Sequence, residues 1–69
     1  MNTNTMLMYL RNWQTVAEQI NDDLKREHVP NEDHRWDNLW IAYVTSGKLI
    51  TDIIMLQNLL RCVQAEGRE

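Results

Sequence analysis

Apolar side chains recur at steps of three and four from the start of the chain. Met6, Leu10, Trp13, Ala17, Ile20 and Leu24 fall on one side of a helix, and Tyr9 and Val16 widen that side. Arg11, Asn12, Gln14, Glu18, Asn21, Asp22 and Lys25 fill the remaining positions and form a solvated side. A hydroxyl from Thr3 or Thr5 can accept a hydrogen bond from an orphan amide of the first turn. Lys25, Arg26 and His28 place positive charge at the carbonyl end, where the helix dipole favours it. The spacing predicts a first helix over about residues 5–27, with residues 1–4 as a disordered tail.

Val29-Pro30-Asn31 breaks this pattern, because proline pushes the residue before it out of helical geometry. A loop is expected over residues 28–31. Asn31 is a good N-cap, and Glu32 and Asp33 bring negative charge to the first turn of the next helix. Trp36, Trp40, Tyr43, Gly47, Ile50 and Ile54 then form a second helical stripe, and a long helix is expected over about residues 32–65, with 66–69 as a second tail. Thr45-Ser46-Gly47 offers a competing reading as a kink or break near 46–47. A helical glycine costs about 1 kcal/mol against alanine. No proline or acidic cap comes after Gly47, however, so one continuous helix is preferred.

The predicted fold is therefore all-α: one domain over residues 1–69, an antiparallel helical hairpin, assembling as a dimer or four-helix arrangement. A fold-back centred at Pro30 sets Leu24 against Trp36, Ile20 against Trp40 and Ala17 against Tyr43. Trp13 then falls opposite Ser46 and Gly47, and Leu10 opposite Ile50. On that stagger the longer helix overshoots the shorter by roughly 18 Å at 1.5 Å per residue. The overshooting part is apolar, and a further stripe of Leu49, Ile53, Leu56, Leu60 and Val63 runs about 100° around the helix from the first. One antiparallel neighbour cannot cover both stripes. Leu49, Ile53, Leu56, Leu59, Leu60 and Val63 are accordingly the expected protein interface, with Trp36 and Trp40 as candidate anchors for a partner should either be exposed.

Composition sharpens this picture. A chain of 69 residues builds a marginal core, and chains of this size commonly rely on disulfides, a metal or a second subunit. Cys62 is the sole cysteine, so no internal disulfide forms, and it is expected to be a buried, inert thiol. The net charge of −3 is mild and of the wrong sign for a nucleic-acid binder. No basic region precedes the short apolar run from Met6 to Leu10, so no secretory signal is expected, and with a free thiol this points to a reducing cytoplasm. The apolar stretch over residues 39–60 is rejected as a membrane span, because Lys48 and Asp52 sit near its middle.

Candidate chemistry is sparse. His28, Glu32, Asp33 and His34 surround the loop, but zinc needs three or four converging ligands, and no cysteine or paired-histidine motif supports them. Ser46 reads as a small packing residue, and Cys62 lies far in sequence from both histidines, so no nucleophile–base pair is expected. No glycine-rich phosphate loop is present. Around the loop, acidic residues outnumber Lys25, Arg26 and Arg35 and leave a mixed, solvated tip. The three tryptophans are expected in the core. No cofactor or metal is expected. The expected function is that of a small, non-enzymatic interaction factor, a regulator, inhibitor or adaptor of phage or plasmid type, homodimeric through its second helix and bound to a protein partner. Alternatives are a co-chaperone that stabilises its partner, and a helical-hairpin nucleic-acid regulator using Arg11, Lys48 and Arg61.

Overall fold

The computed structural model describes residues 2–27 and 38–67. Two antiparallel helices, α1 (Thr3–Glu27) and α2 (Asn38–Ala65), pack side by side as a hairpin about 51 Å long. The predicted all-α hairpin is thus the fold. The expected loop over 28–31, the Asn31 cap, the second helix between 32 and 37, and Trp36 lie outside the described residues. So do the loop histidines, Glu32, Asp33 and Arg35.

α1 begins earlier than its apolar pattern suggests. Asn2 is the cap: its Oδ1 accepts from the Thr5 amide at 3.0 Å, and its carbonyl accepts from Met6 N at 3.2 Å. Thr3 and Asn4 are not a loose tail. Thr3 is fully buried, and Asn4 Oδ1 accepts from Gln64 Nε2 at 2.6 Å. α2 runs unbroken through Ser46 and Gly47 and ends at Ala65, as preferred from sequence. Gly67, with a φ of 73°, occupies the left-handed position that glycine tolerates best and closes the C-terminal turn, its amide donating to the Gln64 carbonyl.

The stagger of the helices differs from the one a turn at Pro30 implies. Asn21, expected opposite Leu39, meets Ser46 instead: its Nδ2 donates to Ser46 Oγ at 2.8 Å and to the Tyr43 carbonyl at 3.3 Å. Further along, Gln57 Nε2 donates to Gln14 Oε1 at 2.9 Å, and Gln64 reaches Asn4. α2 is displaced along α1 by roughly two turns relative to the expected pairing. The reason is polar satisfaction. A buried amide without a partner costs about 1–3 kcal/mol, and Gln57 is buried on this seam. The observed stagger gives each side-chain amide on the seam a polar group across it.

Two consequences for packing result. α1 accompanies α2 to its last turn, so the apolar overhang expected from sequence does not exist. Gly47 faces Asn21, not the Trp13 indole. The buried apolar centre is small, made of Leu10, Ala17 and Ile53 with Ile50 and Leu60 packed against it. Buried Thr3, Ser46 and Gln57 complete the seam. Two helices that meet through small and polar side chains leave most of their large apolar residues pointing elsewhere.

Candidate functional site: an apolar face across both helices

Those outward residues are not scattered. On α1, Met6, Tyr9, Trp13, Val16 and Ile20 alternate in steps of three and four, and all are exposed, Trp13 most of all at 62%. The sequence pattern alone puts them in the core. Leu10, Ala17 and Asn21 take the seam, and this stripe lies to one side of it. Leu24 remains half-buried.

α2 contributes the other wall. An open hollow of about 250 Å³ is lined by Met6, Tyr9, Leu10, Trp13, Leu56 and Leu60. A second, of about 210 Å³, is lined by Trp13, Val16, Ala17, Ile20 and Leu49. Every lining residue of both is apolar or aromatic. Trp13 belongs to both hollows, so its indole divides one continuous apolar face that runs along the hairpin.

The six residues predicted as an interface separate in the structure. Leu49, Leu56 and Leu60 line the face. Leu59 is exposed but lines neither hollow, and Val63 is half-buried and does the same. Ile53 is core, only 5% exposed, because it points directly at α1. Trp40 is half-buried and stacks at a tilt on Tyr43, with ring centroids 5.8 Å apart. The α1 half of the face was missed as a site. The signal was present in the sequence, since a 3–4 repeat marks a buried stripe without saying which partner buries it.

The opposite side of the hairpin has a different character. A hollow there is lined by Asn4, Leu7, Met8, Arg11, Gln57 and Arg61. It brings together two of the three bases named for a nucleic-acid reading, whereas Lys48 does not line it. Cys62, expected to be buried, is exposed, because it lies on the side of α2 turned away from α1. Among the described residues no group of three His, Cys, Asp or Glu side chains converges as a metal site.

α2 is apolar around most of its circumference, with Ile41, Val44, Met55 and Leu59 exposed in addition to the face. By length and composition alone it is apolar enough to cross a bilayer, with mean hydropathy 1.4 over an 18-residue window of which 11% is buried. A helix apolar on all sides calls for more cover than a single helix can provide. The composition does not say whether that cover is protein or lipid. No family model, no curated protein and no solved structure matches this chain, so the apolar face is the feature from which its function has to be reasoned.

Proposed function

We propose that this protein is a small, non-enzymatic protein-interaction factor, a regulator, inhibitor or adaptor, that works through the apolar face shared by α1 and α2. The observation that carries this reading is the pair of apolar hollows separated by Trp13. Contiguous apolar patches on small proteins mark interaction sites. Exposed tryptophan at the centre of such a patch has the character of an interface hot spot. Relative to the expectation from sequence, the face is moved: it is shared between the helices and does not belong to α2 alone.

A membrane reading draws on the composition of α2. It is disfavoured by Lys48 and Asp52 near the middle of the helix, since each charge at a bilayer centre costs about 2.5–3.5 kcal/mol. It is disfavoured also by the polar outer side of α1, where Arg11, Glu18, Asp22 and Asp23 are all exposed. Protein association accounts for both helices at once.

The test is the Leu56→Glu variant compared with the wild-type chain, by sizing and by pull-down from the native host. The expected result is loss of association, with itself or with a captured protein, at unchanged helicity. Association equal to wild type would show that this face is not where the protein works.

A further inference from the structure

An interaction factor of this kind still needs an occupant for its face. Resting on that reading, we propose that the occupant is a second copy of this chain, packed two-fold so that four helices enclose the face and each Trp13 enters a hollow of the other protomer.

Three observations converge on this occupant. The first is exposure. On the face, Tyr9, Trp13, Val16, Ile20 and Leu49 each leave between 48% and 62% of their surface uncovered, and apolar surface of this kind is relieved only by an equally apolar one. A second copy brings such a surface to the same contact, and each covers the other's.

The second is periodicity. Met6, Tyr9, Trp13, Val16 and Ile20 keep an alternating 3–4 spacing on α1. Leu49, Leu56 and Leu60 continue the same repeat on α2, with buried Ile53 at the intervening position. A repeat of 3.5 residues is the pattern by which helices pack against helices in bundles, at shallow crossing angles. The face therefore fits a pair of helices carrying that repeat, and the chain itself supplies such a pair.

The third is shape. Trp13 sits near the middle of α1, with a hollow on either side. A cavity of about 150 Å³ holds a benzene molecule, so hollows of about 250 and 210 Å³ have room for an indole. Two-fold packing is self-complementary: whatever projects from one protomer must find its recess on the same face of the other. A central ridge flanked by recesses meets that condition.

The experiment is light scattering after size exclusion, with sedimentation equilibrium from about 1 to 200 μM, on the full chain and on Trp13→Glu, Trp13→Ala, Leu59→Glu and Leu56→Glu. Wild type is expected at twice 8.3 kDa. Trp13→Glu is expected to be monomeric, and Leu59→Glu, outside both hollows, to stay dimeric. Should Trp13→Glu lose its helical circular dichroism, Trp13→Ala serves instead, with an expected weakening of the dimer by at least about 30-fold, as for a hot-spot side chain. A wild-type monomer throughout the range overturns the proposal. A dimer indifferent to both Trp13 variants overturns it too, as does a monomer that floats with phosphatidylcholine vesicles. If the chain is monomeric yet captures another protein in a manner lost in Leu56→Glu, the two-fold dimer fails while the interaction reading stands. If nothing associates, both fail.

Discussion

Replacing Gly47 with alanine separates the two staggers by the sign of its effect. In the stagger expected from the Pro30 turn, Gly47 lies under the Trp13 indole, and an added methyl would overpack it at a cost of about 1–3 kcal/mol. In the structure, a Cβ at Gly47 meets Asn21 Nδ2 at 3.8 Å, an ordinary van der Waals contact, and no nearer atom. The hydrogen bond from Thr51 Oγ1 to the Gly47 carbonyl, 3.2 Å, involves only backbone at this position and survives the change. What remains is helix propensity, which favours alanine over glycine by about 0.8–1 kcal/mol in a helix interior. Part of that gain arises because alanine has fewer unfolded conformations to lose. For a domain of this size, 1 kcal/mol raises the melting temperature by about 4–8 °C. Thermal and urea unfolding, monitored by circular dichroism at matched protein concentration, measure it, the concentration being held because association shifts apparent stability. An upward shift with unchanged urea slope is expected. A fall in Tm would refute the reasoning, because it would mean the helices approach more closely at Gly47 than Asn21 and Ser46 permit.

The seam and the outer side of α2 yield two further outcomes. Asn21→Ala and Ser46→Ala should each destabilise by about 0.5–1.5 kcal/mol, the net worth of a typical hydrogen bond. The double variant should cost less than the sum of the two by at least about 0.5 kcal/mol in urea unfolding, as for contacting partners; strict additivity would show that their 2.8 Å bond contributes nothing. Cys62 is exposed, so a thiol reagent should modify it completely in the folded protein without changing helicity. Protection until unfolding would place that side of α2 under cover.

The architecture was legible in the sequence because its signals were local. A 3–4 repeat, a proline break and a scarcity of glycine decide helix number and rough extent without reference to what packs on what. The continuity of α2 through Gly47 was legible for the same reason: no cap or proline comes next to restart a helix. The stagger was not, since it is decided by which side chains meet. Apolar residues are poor informants there, as a leucine tolerates many neighbours. Asn21, Gln14 and Gln57 carried the information, but the first two read as solvated because polar residues usually are. Matching the amides first, Asn21 with Ser46 and Gln14 with Gln57, gives the observed pairing. The facing of α1 was misjudged separately: its seam runs through Leu10, Ala17 and Asn21, so the stripe of Met6, Trp13 and Ile20 lies beside the contact. A turn centred at Pro30 puts the surplus apolar surface at the end of α2, when that surplus lies along a flank of both helices. That a surplus exists was legible from the count of large apolar residues alone. Its position required the partner of each.

The amide contacts between the helices reverse where tolerance to change should reside. In most small proteins a leucine in the middle is hard to replace, and a glutamine is easy. Here Asn21, Gln14 and Gln57 make the polar contacts that fit one register of the helices. Exchanges among leucine, methionine and isoleucine at Leu49, Met55 or Leu59 leave that alignment untouched. Lineages of this chain would therefore keep those hydrophilic letters fixed while exchanging one greasy letter for another of similar size. The spacing of those amides, added to the apolar pattern, would therefore mark kin more sharply than the apolar pattern alone.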